Sequence, residues 1–499
     1  MGQKWWKSAD VVIAGYGAAG AAAAIAARDA GAEVIILEKM NEGGGNTIVS
    51  MGGVLCPTEA NAAINYISAL YDFANSEKDE DVIRVFAQEA TRNVAWIKSL
   101  KEGTEVQVYG HASYSQVPGA ESMNKYLVKG KNKGPTAFAR NLWEVLIYAV
   151  EKRRRIPVLR ETAAKELVTN GKGEVIGIMA QAEGQKVAIR ANSGVVLCTG
   201  GYEYDRSTLQ NHVKGFPIYA AGNPGNRGDG IRMAQKAGAG LWHMNGVSAG
   251  LGLKVPEFEA CFPMVIDAPG HILVDREGRR FMNERGMEAH SGLLAVDHYD
   301  TQSLKYPRIP CYAIFDDTAR MRGPISRIAE LGSAGRQYTW SKDNSAEIQK
   351  GWIIRGGTLA ELAKSLSMAP AVLEETVGQW NRDVKNNRDP LHNRPILSPQ
   401  KERPEYKDFV QHVLSAAIDQ PPFYAIELYP CLLNTQGGPR RNEAAQVLDP
   451  FGRPIPRLYS AGELGSMWGM IYQGAGNISE CLVFGRIAGK NAAGERPWS

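Results

Sequence analysis

The chain has 499 residues, 44% hydrophobic and 22% charged, with 54 Gly and 25 Pro: a globular composition with ample material for a large core spread over about two to four domains. Its net charge of +4 is dispersed apart from Lys152–Arg155, a run without aromatic interleaving that predicts a solvated helix end and no nucleic-acid surface. The six cysteines (Cys56, Cys198, Cys261, Cys311, Cys431, Cys481) are scattered without a CxxC pair, which argues against a disulfide framework, a zinc site or an iron–sulfur cluster and for a reducing compartment.

In chain order, MGQKWWKSADVVIAGYG holds no apolar stretch of signal-peptide length, and no later run reaches membrane-spanning length, so a cytoplasmic protein without a membrane span is expected. ADVVIAGYGAAGAAAAIAARDAGAEVIILEK predicts strand, glycine turn, helix and strand, with Val11–Ala14 and Val34–Leu37 as buried parallel strands. Gly15, Gly17 and Gly20 fit GxGxxG, which lets the backbone approach a pyrophosphate at the helix N-terminus, and Glu38 closes the second strand where it can bind a ribose diol. The motif alone leaves NAD and FAD open. KMNEGGGNTIVSMGG then brings a second glycine-rich stretch with Asn46 and Thr47, where NADH dehydrogenases of simple build continue into another helix and strand. Ser193–Asp205 predicts a buried strand ending in Thr199, Gly200 and Gly201, and Asp229 opens an amphipathic helix in GNRGDGIRMAQKAGAG. Near the end, IYQGAGNISE sets Tyr472 ahead of two close glycines and a helix from about Asn477, a place able to hold something negative. Contacts at the start, middle and end of the chain suit a long, two-ended ligand.

Taken together, ADVVIAGYGAAG, EKMNEGGGNT with SMGG, GVVLCTGGYEYD, GDGIRMAQKAGA, GHILVDREGRRFMNE, PFYAIELYPCLLNTQGGPRR, LYSAGE and VFGRIAGKNAA resemble the fumarate reductase and 3-ketosteroid dehydrogenase superfamily of FAD flavoproteins, over nearly the whole chain. The resemblance implies an α/β fold: a Rossmann-like FAD-binding domain of glutathione reductase type at 1–249 and 434–499, with an inserted α+β cap or catalytic domain at 250–433. It maps FAD contacts onto Gly15, Gly17, Ala19, Gly20, Glu38, Lys39, Gly45, Asn46, Thr47, Gly52, Gly53, Ala164, Thr199, Gly200, Asp229 and Glu463. Asn477 and Ile478 would turn backbone N–H groups to the flavin pyrimidine edge, at the positive end of the last helix. Asn46 stands where succinate dehydrogenase-type members carry the flavin-linking His, so non-covalent FAD is expected.

Other departures bear on the substrate. Fumarate reductases hold it with a His before TMGG and an Arg inside NRLGGN, and protonate it from an Arg after FxNE; the matching positions here are Asn434, Gln473 and Glu288. YQGAG instead resembles the YPGAG of 3-ketosteroid 1-dehydrogenases, which implies that the Tyr472 hydroxyl and the Gly476 N–H hold a ketone oxygen. The proton carrier is left between His290, which sits in a His-Ser-Gly unit like the Tyr-Ser-Gly of 4-(5α)-dehydrogenases shifted by two, Glu288, and a tyrosine such as Tyr109, Tyr114, Tyr299 or Tyr312. The expected function is oxidation or reduction of the carbon–carbon bond α,β to a steroid or smaller cyclic ketone, with a separate electron acceptor or donor as partner. The alternative is an ene-reductase of an unsaturated carboxylate, with Arg285, Arg440 or Arg441 as a relocated anion clamp.

Overall fold

A computed structural model of the chain describes residues 4–132, 137–326, 338–396 and 415–498. It divides into two compact units, the first comprising Met1–Val213, Gly222–Ser248 and Asn434–Ser499, the second Lys214–Ala221 and Ala249–Leu433. The fold is mixed α/β, with parallel and antiparallel pairing.

Apolar segments without polar alternation form the spine of the first unit, as strands covered on both faces require. Strand β1 (Lys7–Ala14) and strand β2 (Val34–Leu37) flank helix α1 (Ala18–Asp29) in the chain and pair in parallel, Val11 opposite Val34 through Ala14 opposite Leu37. The other edge of β1 takes the long strand β3 (Gln185–Leu197), whose early residues Ile189–Ala191 also pair with Lys7–Ala9. That pairing starts β1 four residues before the expected Val11. Helix α2 (Asp229–Lys236) follows, then strand β4 (Pro454–Ser460), parallel to β3, and the closing helix α3 (Gly476–Gly494). The eight-stranded sheet runs Gln446–Leu448, β4, β3, β1, β2, Val158–Leu159, with Val175–Ala182 joined antiparallel to β3 and Thr162–Thr169 antiparallel to Val175–Ala182 in turn. Because β1 to β4 run parallel, their carboxyl ends share one edge. Gly15, Glu38, Thr199 and Glu463 each lie one to three residues beyond such an end, and this is why they gather.

Alanine makes α1 a strong helix former with little bulk, and glycines on α3 answer it. A Cβ on Gly485 would stand 2.7 Å from the Ala19 carbonyl oxygen, and one on Gly489 2.0 Å from that of Ala23. The two helices therefore meet backbone to backbone, at a distance no larger residue permits. The basic run at 152–155 closes a helical segment with Lys152, Arg153 and Arg155 exposed, and it is tied down by Arg153 donating to Ser99 O at 2.8 Å and Arg154 pairing with Asp29 at 2.7 Å.

The second unit is built on Phe423–Thr435, which pairs antiparallel with Cys311–Asp316; that strand in turn pairs with His271–Val274. Tyr219–Ala220, Ile354–Gly356, Val247–Leu253 and Phe262–Pro263 complete its seven strands. Phe258, Phe262, Tyr338 and Trp352 interlock over this sheet with centroids 4.7 to 6.3 Å apart. Among the described residues no helix is long and apolar enough to cross a membrane.

Candidate active site

The turn after β1 is shaped by close approach. Gly15 adopts φ +103°, and a Cβ there would meet the Cys198 carbonyl oxygen at 2.2 Å; one on Gly20 would stand 2.0 Å from Gly15 O. Ala18 N–H donates to Thr47 Oγ1 at 3.0 Å, and that oxygen would lie 3.6 Å from a Cβ on Gly17, so the Gly45–Ile48 turn is fixed against the start of α1, the turn that carries Ala19. Glu38 accepts the Tyr16 N–H at 2.9 Å and the Met40 N–H at 2.8 Å, which aims its carboxylate at the turn. The strand carrying Ala164 is tied to the same place by Thr162 N–H donating to Glu38 O at 2.8 Å. Lys39 and Asp229, 190 positions apart, form an ion pair at 2.6 Å. Burial raises the Asp229 carboxyl, but the Lys39 hydrogen bond and charge, with Arg232, bring it below the usual range. Gly52 and Gly53 are pinched: Cβ atoms there would lie 2.4 Å from Ala139 N and 2.3 Å from Tyr109 Oη.

Asn46 is the busiest of the expected residues. Its Nδ2 donates to Glu203 Oε1 at 2.6 Å and to Glu463 Oε2 at 2.9 Å, and its Oδ1 accepts the Asn223 N–H at 2.7 Å. Glu203 and its partner Asn226, bonded at 3.0 Å, are absent from the sequence expectations; the only signal was an acidic residue two places after the Gly200–Gly201 turn. Gly200 has φ +70° and Asn226 Oδ1 where its Cβ would be, at 2.5 Å.

Ala475, whose Cβ would stand 3.0 Å from one added to Gly53, adopts a left-handed conformation (φ +72°) and starts α3 at Gly476. A Cβ on Gly476 would stand 2.4 Å from the Trp468 indole, so only glycine fits. Tyr472 is buried and packs edge-on to Trp468 with centroids 5.9 Å apart, and its hydroxyl accepts the Asn477 N–H at 3.2 Å. The Asn477 N–H is thus directed at Tyr472, and the Gly476 N–H donates to Gln473 O at 2.9 Å. Binding roles for these two N–H groups require those bonds to be shared or exchanged. Ile478 continues the first turn, its side chain buried. Gln473 is wholly enclosed: its Oε1 accepts from the Tyr66 hydroxyl and from Ser113 N–H at 2.9 Å, and its Nε2 donates to Gly474 O at 2.7 Å. Asn434 reaches Asn477 Oδ1 at 3.3 Å.

In the second unit His290 and Glu288 form one dyad: His290 Nδ1 lies 2.8 Å from Glu288 Oε1, and the His290 N–H donates to Glu288 Oε2 at 2.6 Å. An ionised Glu288 would favour the tautomer in which Nδ1 donates to it. Tyr299 packs on Tyr306, and burial raises the Tyr312 phenol. One of the expected anion clamps is corrected. Arg441 is fully buried against Glu480 and the Leu464 and Gly462 carbonyls at 2.9 and 3.1 Å, so its charge is spent inside the first unit. Arg440 reaches Glu77 and Asp79 at 3.2 and 3.4 Å, and Arg285 donates to Asp267 O at 3.0 Å.

The family described as FAD binding domain matches residues 10–478. The chain belongs to that family. It is 27% identical to a fumarate reductase (cytochrome) of Shewanella frigidimarina over 97% of this chain and 77% of that one. It is 27% identical to urocanate reductase of Eggerthella lenta (97% and 74%), and 25% to 4-oxocyclohexanecarboxylate 2-dehydrogenase of Sinomonas cyclohexanicum (97% and 93%). Its fold is similar to that of 3-ketosteroid delta1-dehydrogenase from Sterolibacterium denitrificans, with TM-score 0.83 and 22% identity over 98% of this chain and 100% of that one. A flavocytochrome c3 fumarate reductase gives 0.70 and 24%, over 98% and 79%. The chain is thus an FAD-dependent oxidoreductase of the fumarate reductase and ketosteroid dehydrogenase superfamily.

The first unit of this flavoprotein fits FAD on its own evidence. Thr199 Oγ1 is a buried polar atom with no partner, and the glycine turn leaves no Cβ in the way of a pyrophosphate. Replacing Glu38 by Ala is expected to weaken FAD retention by about tenfold or more through lost charged hydrogen bonds, read as FAD content after dialysis. Unchanged content would mean that Glu38 only braces the turn. Asn46 offers no nucleophile for a flavin link, so acid or heat should release free FAD, while flavin that sediments with denatured protein would contradict this.

Proposed function

We propose that the protein oxidises or reduces the carbon–carbon bond α,β to a ketone, on a 3-ketosteroid or smaller cyclic ketone. In this reading residues 1–249 and 434–499 hold FAD, and 250–433 form the catalytic cap. The observation that carries it is the Tyr472–Gly476 loop. Where a carboxylate reductase of the superfamily would place an arginine stands Gln473, whose amide is consumed by Tyr66, Ser113 and Gly474, while Tyr472 brings a hydroxyl to the start of a 19-residue helix. Since one lone pair of that oxygen already accepts the Asn477 N–H, the hydroxyl is polarised to donate. A donor aimed at a ketone oxygen stabilises the enolate character that develops when an α-proton leaves, and Gly476 N–H would be the second donor. Bound FAD supplies the two-electron hydride acceptor or donor. His290, with Nδ1 held by Glu288, moves the α-carbon proton through Nε2.

A panel of cyclic ketones and acrylates with an artificial electron acceptor, together with enones and reduced viologen for the reverse direction, tests the reading. Turnover of ketones alone supports it, whereas turnover of acrylates alone transfers the function to carboxylates with Arg285 or Arg440 as the anion clamp. His290→Ala is expected to slow turnover by about 10²-fold and to remove the limb of the pH–rate profile that reports the base. A profile of unchanged shape would assign the proton to another group.

A further inference from the structure

Glu203 and Glu463 lie behind Asn46 and have no part in the ketone chemistry. They are 2% and 7% exposed, and one amide group, Asn46 Nδ2, donates to both. Asn226 adds a donor to Glu203 Oε1 at 3.0 Å, and the Thr435 N–H reaches Glu463 Oε1 at 3.4 Å. Glu203 Oε2 has no donor. It faces the other carboxyl: a Cβ on Gly201 would stand 2.7 Å from Glu203 Oε2 and 2.4 Å from Glu463 Oε1. Two carboxyls this close and this buried cannot both ionise, and one proton between them both removes a charge and gives the orphan oxygen its partner.

The titration of the pair follows the same geometry. Burial and the charge of Glu203 hold the Glu463 carboxyl well above the usual carboxylate range, and burial also raises Glu203, against the opposing hydrogen bonds from Glu463, Asn226 and Asn46. The titratable neighbours, Tyr202 and Cys481, are themselves pushed up by burial and stay neutral. Asn46 links the pair to the dinucleotide turn, because Thr47 beside it accepts the Ala18 N–H at 3.0 Å.

We propose that Glu203 and Glu463 hold one shared proton, and that this proton controls FAD retention: its loss sets two like charges against each other across the Asn46 amide that bridges them, and their separation loosens the Asn46–Thr47 segment on which the cofactor turn rests. This depends on FAD binding and is independent of the ketone reading. The sign follows from linkage. The FAD-competent arrangement favours the protonated pair, so affinity is full while the proton is in place and falls as pH rises through the raised titration, by about tenfold per pH unit for one proton.

Two measurements on the holoprotein test it. Fluorescence of released FAD, followed from neutral to alkaline pH, gives the dissociation constant. Glu203→Gln, whose amide nitrogen donates permanently to Glu463 while its oxygen still accepts from Asn46, should flatten the pH dependence seen in wild type. Infrared spectra of wild type should show a protonated-carboxyl stretch that shifts in heavy water and is missing from the variant. The same pH slope in both proteins, or no such band in wild type, overturns the proposal, and Glu463→Gln, which should lose the band in the same way, decides it if Glu203→Gln does not fold.

Discussion

Tyr472→Phe is expected to slow anaerobic reduction of the flavin by a cyclic ketone by roughly two orders of magnitude or more, the loss typical when one oxyanion donor is removed. The fold should survive. The phenyl ring keeps its edge contact with Trp468, and the helix loses only a hydroxyl that accepted the Asn477 N–H, a deletion that typically costs about 1 kcal/mol. Stopped-flow bleaching at matched FAD content is the measurement, since it isolates the chemical step from reoxidation. Bleaching at the wild-type rate would falsify the ketone reading and leave the loop as a plain turn. A rate loss together with an unchanged flavin spectrum would locate the effect at the substrate.

Arg441→Met should cost about 3–5 kcal/mol of stability, because it leaves Glu480 buried without its counter-charge. The Ser466 hydroxyl and the Met467 N–H, at 2.6 and 2.7 Å, remain but cannot neutralise the carboxylate. Burial already raises the Glu480 carboxyl, with Arg441 the leading opposing influence, so removing the guanidinium raises it further. A raised folded-state value means that stability falls as pH climbs from the ordinary carboxylate range through the folded value. The deficit should therefore be largest near neutrality and shrink in mild acid, where Glu480 becomes neutral. Denaturant midpoints at several pH values read this directly, and adding Glu480→Gln should recover much of the loss. A variant of wild-type stability would mean that Arg441 is not locked in the core and could hold a substrate anion after all.

The dinucleotide half of the site was legible because its signals are local. Glycine spacing, buried strands and a terminal glutamate lie within thirty-odd residues of one another, and the structure brings Gly15, Gly20, Thr47 and Glu38 together as that spacing requires. What stayed hidden depends on long-range partners. Nothing in GGYEYD says that Glu203 will meet Glu463, nor does the Arg440–Arg441 pair say which member faces inward; that is decided by Glu480 on α3. Gln473 reads as a lost arginine in sequence, and only Tyr66 and Ser113 show it to be a brace for the loop.

The backbone contact between α1 and α3 has a bearing on how the chain is made. Leu55 N–H bonds the Ser479 hydroxyl across 424 positions, and Ala19 and Ala23 wait for Gly485 and Gly489 over a similar span. At about 5–20 residues per second, the nascent α1 and its glycine turn stay uncovered on the ribosome for on the order of tens of seconds before their partner emerges. An alanine helix stripped of its packing face is a natural substrate for holdase chaperones over that interval. Contacts of such high sequence separation also make folding slow, so the glycine turn gains this packing only once α3 has emerged.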